Sequence, residues 1–317
     1  MTVWIIFISA IILFLMIDLG VFNRNAHVIS VKEASIWTSI WVSLAILFSL
    51  MVYLIYQKGW MPNPENLKPS GAALKYITGY LVELSLSVDN IFVIAVIFSS
   101  FKIPQKFQHR VLFWGILGAI IFRAAMIFFG VALVNSVSWI IYIFGAFLLF
   151  TAFKMLKSQD EGEFDPKTSF VYRNVRKIFP VTAEVNSQAF FVKKKYLTAA
   201  TPLFITLIII EITDILFALD SIPAVIGITT DPFLVFSSNI LAILGLRSMY
   251  FFLANMLAKF EALKYSLVVI LSFVGIKLLL THHIKFPEWL SLTVIFVSLA
   301  AGIGYSYLKK DAPEAEV

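Results

Sequence analysis

The stretch Glu83-Leu-Ser-Leu-Ser-Val-Asp89-Asn90-Ile91 returns later in the chain as Asp214-Ile-Leu-Phe-Ala-Leu-Asp220-Ser221-Ile222. Both read acid, five residues, Asp, a small polar residue, Ile, at an offset of 131 (214 minus 83). Further on, Arg123 in "FRAAMIFF" matches Arg247 in "LRSMYFFL" at an offset of 124. Phe150-Thr-Ala-Phe-Lys154-Met-Leu then matches Phe273-Val-Gly-Ile-Lys277-Leu-Leu at an offset of 123. Polar landmarks of this kind are rare in apolar helices, so three collinear pairs identify an internal repeat.

The repeat lies in a chain of 317 residues that is 60% hydrophobic and 14% charged, with a mean hydropathy of +0.90. Soluble domains carry about 25% charged residues, so this is the composition of an integral membrane protein. A hydrocarbon core of about 30 Å needs roughly 20 apolar helical residues. Nine runs qualify, at about 3–22, 35–56, 74–100, 111–134, 138–156, 199–222, 233–257, 263–281 and 289–308. The first lacks a basic leader and a small-residue cleavage site, so it is expected to stay as an anchor.

With nine spans, the loops after helices 1, 3, 5 and 7 and the C-terminal tail share one side and, counting lysines at span ends with the loop they adjoin, hold 18 Lys and Arg, against 4 opposite, with Arg123, Arg247 and Lys277 left within spans. The positive-inside rule then places the N-terminus outside and the C-terminus in the cytoplasm. Each repeat copy contains three spans, an odd number, so the second enters the bilayer from the opposite side. The fold expected is an all-α polytopic membrane protein with two inverted three-helix repeats. Residues 1–66 hold peripheral helices 1 and 2, 67–157 repeat A (helices 3–5), 158–198 a solvated cytoplasmic loop, 199–281 repeat B (helices 6–8), and 282–317 helix 9 and a cytoplasmic tail. Inverted repeats of this kind are typical of secondary transporters, whose sites lie near the midplane where the copies meet.

Net charge is +6, but the basic residues are spread through loops and form no single patch, so no nucleic-acid partner is expected; the partners are the lipid bilayer and a cation. The chain has no cysteine, which excludes thiolate metal sites and cysteine nucleophiles. An intramembrane aspartyl protease would need signatures that Asp89 and Asp220 lack, being preceded by Val and Leu, and no intramembrane histidine supports a hydrolase triad around Ser221. No catalytic residue and no cofactor are expected.

Glu83, Asp89, Glu211, Asp214 and Asp220 lie inside predicted spans, each costing about 2.5–3.5 kcal/mol to insert when charged. Arg123 and Arg247 are the counter-ions available, and two cations cannot balance five anions. The residual charge calls for a bound cation, protons, or both in alternation. At 100° per residue, Glu83, Ser87 and Asn90 share one helix stripe, as do Glu211, Asp214 and Ser221, whereas Asp89 and Asp220 point elsewhere, towards a second partner. Pro223 cannot donate to the carbonyl of Leu219 and is expected to break helix 6 there, freeing that oxygen beside Asp220 as a ligand. Carboxylate, amide, hydroxyl and carbonyl oxygens (Asp89, Asp220, Asn90, Ser221, Glu83, Glu211, Asp214 and Leu219) suit magnesium, calcium or manganese. The four histidines fall in loops or at span ends, which disfavours copper and zinc; Met126 and Met249 read as core.

The stretches "MIDLGVFNRNAHVISVKEA", "GYLVELSLSVDNIFVI", "YIFGAFLLFTAFKM", "ATPLFITLIIIEITDILFALDSIPAVIGITTDPFLVFSSNILAILGLRSMYFFLA" and "FVGIKLLL" resemble the TerC family, most closely its Alx-type members. The resemblance runs from helix 1 through helix 8; the cytoplasmic loop and the tail after Lys309 match poorly. It implies a bacterial inner-membrane protein that exports manganese(II), with the family's intramembrane acids at Glu83, Asp89, Glu211, Asp214 and Asp220 and with Asn90 and Ser221 in the same motifs. The residues alone lead to a divalent-cation transporter; manganese comes from the resemblance. The expectation is export by alternating access, with Asp89 and Asp220 as direct ligands. Expelling a dication costs about 2.3 kcal/mol per charge per 100 mV, so a driving ion is needed, with the proton as candidate. The alternative reading is a membrane partner protein that assists assembly or metal loading of exported proteins.

Overall fold

The computed structural model describes residues 2–17, 29–137, 139–157, 189–194, 197–254, 263–280, 284 and 286–310. Among the described residues nine α-helices follow one another. They are α1 (Thr2–Ile17), α2 (Val31–Gln57), α3 (Pro69–Ser100), α4 (Gln105–Ser136), α5 (Ile140–Lys157), α6 (Pro202–Ile226), α7 (Pro232–Ala254), α8 (Leu263–Leu280) and α9 (Glu288–Lys310). Strands β1 (Phe191–Lys194) and β2 (Leu197–Ala200) lie between α5 and α6. Apolar runs of this length become helices because hydrocarbon offers backbone N–H and C=O groups no partners, and a helix satisfies them within the segment. By length and composition α2 to α7 can each cross a membrane, while α1, α8 and α9 carry shorter apolar stretches. The chain is a multi-span, helical membrane protein.

Starting signals are local. Ser30 caps α2, its Oγ accepting from the Glu33 N–H at 3.2 Å. Pro69 and Pro202 stand at the first turns of α3 and α6, where the missing N–H costs nothing. α3 and α4 begin at Pro69 and Gln105, ahead of the apolar runs at 74 and 111. At 32 residues each, they extend about 48 Å and overshoot the hydrocarbon core.

Two expectations are corrected. The end of the segment read as a solvated loop forms an antiparallel hairpin, with Phe191 opposite Ala200 and Lys194 opposite Leu197. Its aromatics explain why: the Phe191 ring sits 4.5 Å from that of Phe204 in α6, and Arg110 of α4 lies over Phe190 at 5.3 Å. The remainder of that loop, 158–188 and 195–196, lies outside the described residues, as do Asp18 and the tail from 311. Second, Pro223 does not break α6, which continues to Ile226, and the Gly227 N–H reaches the Pro223 carbonyl at 2.9 Å. One missing donor a single turn from a helix end is a small loss, and the turn beyond it keeps its own bonds.

α3 packs chiefly on α7, α4 on α6 and α5 on α8, with α3 against α6 and α4 against α7 closing the centre. α2 lies along α7 and α3, and α9 along α8 and α3. α1 is held by ring contacts, Trp4 meeting Phe128, Phe233 and Phe236, and Phe7 meeting Phe48. The α5–α8 contact is backbone to backbone. A Cβ on Gly145 would stand 2.9 Å from the Gly275 carbonyl, and one on Gly275 would stand 3.0 Å from that of Gly145. Small residues are what allow membrane helices to approach this closely. Gly145→Ala and Gly275→Ala are each expected to destabilise the protein by about 1–3 kcal/mol, read as a lower unfolding midpoint in detergent. Gly304→Ala, with nothing within 4 Å, should leave the midpoint unchanged.

Candidate functional site

The centre of the bundle is organised by one cation. Arg123 of α4 is 1% exposed, and its Nη1 donates to Glu83 of α3, which is 0% exposed. The same nitrogen donates to Asn239 Oδ1 of α7 at 3.0 Å and to Ser221 Oγ of α6 at 3.3 Å. Nη2 and Nε grip Asp214 of α6 at 2.9 and 3.2 Å, a bidentate fork. Four helices meet on one guanidinium. The two acids it joins, Glu83 and Asp214, are those that head the repeated motif. One turn before Asp214, Glu211 lies over Gly118 of α4: a Cβ there would fall 2.0 Å from its carboxylate oxygen and would push that carboxylate aside.

The other expected residues separate from this centre. Asn90 lines a small cavity, about 20 Å³ and water-sized, that also touches Asp214, Thr213 and Gly115. Asp220 points to α5, where Thr151 Oγ1 donates to it at 3.0 Å, so it does not join Asp214; the divergence read from helix geometry is what the fold displays. The side chain of Asp89 lies outside the described residues. Arg247 lines a pocket against α2 with Glu33, Trp37, Trp41 and Ser248. Leu219 is 47% exposed and lines, with Pro223, Met126 and Phe129, an apolar groove of about 590 Å³ on the outer surface of α6. With the helix unbroken, Leu219 does not join the oxygens at Arg123. Met249 is packed among apolar side chains, and Nδ1 of His109 meets the Lys106 carbonyl at 3.0 Å. Among the described residues no three Asp, Glu or His side chains converge as a ready ligand cluster.

Asn239 and Gly118 escaped sequence reasoning. Ser237-Ser238-Asn239 does interrupt an apolar run, and that interruption was the available signal. A second polar centre, also unforeseen, joins the α2–α3 connection to the α6–α7 turn. Oε1 of Glu65 accepts from Thr229 Oγ1 at 2.8 Å, Thr230 Oγ1 at 2.9 Å, the Asp231 N–H at 3.1 Å and the Thr230 N–H. Its other oxygen takes the Lys75 ammonium. Asp231 caps α7 by accepting from the Phe233 N–H at 2.9 Å, and Tyr56 donates to it at 2.6 Å. Glu65, Lys75, Thr229, Lys277 and Ser291 line a cavity of about 340 Å³ beside this clasp.

Comparison with known proteins gives a consistent picture. A family model described as "Integral membrane protein TerC family" matches residues 69–313. An uncharacterized membrane protein of Myxococcus xanthus is 47% identical over 99% of this chain and 94% of its own. One from Rickettsia bellii is 42% identical over 97% and 98%. An Escherichia coli K12 protein named "Putative membrane-bound redox modulator Alx" is 45% identical over 86% of this chain and 84% of its own. No solved structure matches.

Burial alone would raise Glu65, but the Lys75 ammonium and the hydrogen bonds from Lys75, Thr229 and Thr230 outweigh it and hold the carboxyl below its ordinary value. Asp231 is pushed up by burial, against hydrogen bonds from Tyr56, Leu234 and Phe233. Stability contributed by Glu65 is therefore fully present above the unfolded-state value of about 4.5 and is lost as pH falls through the lower folded-state value. Asp231 has the opposite sign, its contribution weakening as pH rises from 3.8 through its raised value. Glu65→Gln should cost about 1.5–3 kcal/mol at neutral pH, seen as a lower unfolding midpoint, with the gap to wild type closing in acid. A gap that ignores pH would show that the Glu65 charge is not what holds the clasp.

Proposed function

Because this chain belongs to the TerC family of integral membrane proteins, we propose that it is a secondary transporter, not an enzyme, that exports manganese(II) from the cytoplasm across a bacterial inner membrane. The observation that carries this reading is the all-oxygen shell of Glu83, Asp214, Ser221 and Asn239, buried where the two motif copies meet. Carboxylate, hydroxyl and amide oxygens are the donors that hard divalent ions take. Manganese is favoured among such ions by the family resemblance.

The helix pairing supports an inverted repeat. Exchanging α3, α4 and α5 for α6, α7 and α8 turns the α3–α7 pair into α6–α4, and leaves α5–α8, α3–α6 and α4–α7 as themselves. Those are the principal contacts of the bundle core, as a pseudo-two-fold exchange of the copies requires; with three spans in each copy, that axis would lie in the membrane plane. On this reading α3 and α6 carry the site, and the Glu65 clasp holds the outer face shut, tying Glu65 and Lys75 of one half to Thr229, Thr230 and Asp231 of the other. The inner side carries a cavity of about 430 Å³ lined by Ser99, Lys102, Gln105, Gln108 and Tyr250, which fits an arrangement open towards the cytoplasm. Asp220, with Thr151 and the nearby Lys154, flanks the path on the α5 side.

A driving ion is required to move a dication against an inside-negative potential, and the proton is the one proposed, with the surplus carboxylates as carriers. The Alx relatives are named as redox modulators, yet these 317 residues contain no cysteine, so thiol exchange has no residue here to act through.

Manganese uptake into everted membrane vesicles tests the proposal. Glu83→Gln and Asp214→Asn each remove a charge-assisted contact worth about 1.5–3 kcal/mol, so uptake at limiting manganese should fall by about tenfold or more at matched expression. Asp220→Asn, which keeps an acceptor for Thr151, should lose less. Uptake that survives both central substitutions would move the weight to the partner-protein reading and to the cytoplasmic segment before α6.

A further inference from the structure

The donors and acceptors at the centre contain an unusual arrangement: a shell suited to a hard cation is filled by a side chain of the protein itself. Among the described residues, all the partners of the Arg123 guanidinium are oxygens, from Glu83, Asp214, Ser221 and Asn239. We propose that Arg123 is the resident cation of the transport site, displaced when the transported divalent ion binds and restored when it leaves, with Asn239 Oδ1 as a ligand common to both occupants. The inference rests on the transporter reading above and goes beyond it by assigning how the ion enters a site that is already paired.

Charge is the first argument. Two carboxylates, from α3 and α6, face one guanidinium. The arginine supplies one positive charge, whereas a divalent ion supplies two and neutralises the pair. A monovalent ion offers no more charge than the arginine already does, so the resident cation acts as a filter in favour of dications.

Hydrogen bonding is the second. With Arg123 in place, Glu83 Oε2 and Asn239 Nδ2 are buried without a hydrogen-bond partner among the described residues. An orphaned buried acceptor is costly, and Glu83 at 0% exposure still has an oxygen to offer. The shell therefore fits its present occupant incompletely.

A displaced guanidinium must also have somewhere to go, because a buried unpaired cation is strongly unfavourable. Glu211 provides the second seat. It stands one turn from Asp214 on α6, against Gly118 of the helix that carries Arg123, and its Oε2 is likewise buried without a partner among the described residues. Geometry then couples exchange to motion. The guanidinium keeps Asp214 and Asn239 oxygens at 2.9 and 3.0 Å from its nitrogens, whereas hard-cation oxygen distances are about 2.0–2.6 Å. Replacing a wide planar cation by a compact one draws α3 towards α6, the two helices that carry the motif copies.

Equilibrium manganese binding to purified protein, followed by electron paramagnetic resonance of the free ion, tests this. If the guanidinium holds the shell for about nine-tenths of the time or more, apparent affinity is lowered by about tenfold or more. Arg123→Gln should therefore bind manganese at least about tenfold more tightly than wild type while transporting it more slowly. Arg123→Lys keeps the charge but loses the fork, so it should fall between the two; it also serves if Arg123→Gln does not fold. In Arg123→Ala, guanidinium ion added to the solution should compete with manganese. Unchanged or weaker binding in folded Arg123→Lys and Arg123→Gln would overturn the proposal and leave Arg123 as a structural pair. Absence of manganese binding in the wild type and in every folded Arg123 variant would instead overturn the transport reading beneath it.

Discussion

The bridge from Glu83 through Arg123 to Asp214 is the constraint on which the centre of the molecule depends. In a low-dielectric interior an unpaired charge is unfavourable by several kcal/mol, so the three side chains commit α3, α4 and α6 to one mutual arrangement. Asn239 adds α7 to the same point. The apolar packing around them, Ile127, Ala218, Ile222 and Ile240 among others, is non-directional and tolerates sliding; the fork on Asp214 does not. Membrane helices gain little from the hydrophobic effect among themselves, so specific contacts of this kind carry a larger share of the register.

Away from this centre the same economy appears at the helix ends. The Glu65 carboxylate satisfies two backbone N–H groups at the start of α7 while tying down Lys75. The hairpin performs a related task before α6, where the Thr201 N–H donates to the Phe190 carbonyl at 2.9 Å and its hydroxyl to Ala189 at 2.9 Å. Between these two fastened ends α6 runs with Asp214 and Ser221 turned inward and Asp220 turned to α5. One helix thus reaches two polar surroundings, as the 100° step between Asp220 and Ser221 dictates.

That division was legible from residue spacing alone, as was the helical class; the bridge from Glu83 through Arg123 to Asp214 was not, because spacing pointed to Asp89 and Asp220 as the direct ligands. Arg247 shows where such reasoning stops. It aligns with Arg123 in sequence, yet it faces α2 and the tryptophans there, because alignment of a repeat fixes sequence position and not the side of the helix that meets a neighbour outside the repeat. Pro223 misled for a different reason: a proline near a helix end has little helix left to break. Asn239 meets Arg123 across 116 residues, and Glu65 reaches Thr229, Thr230 and Asp231 across 164 to 166, and no local pattern announces such partners.

On this account one oxygen shell is shared in turn by a guanidinium and a divalent ion. The most direct measurement is anomalous scattering at the manganese edge from crystals of the protein grown with manganese in lipid. The account predicts one peak within coordination distance of Glu83, Asp214 and Asn239, with the Arg123 side chain turned towards Glu211. A peak elsewhere, with Arg123 still bridging Glu83 and Asp214, would contradict it.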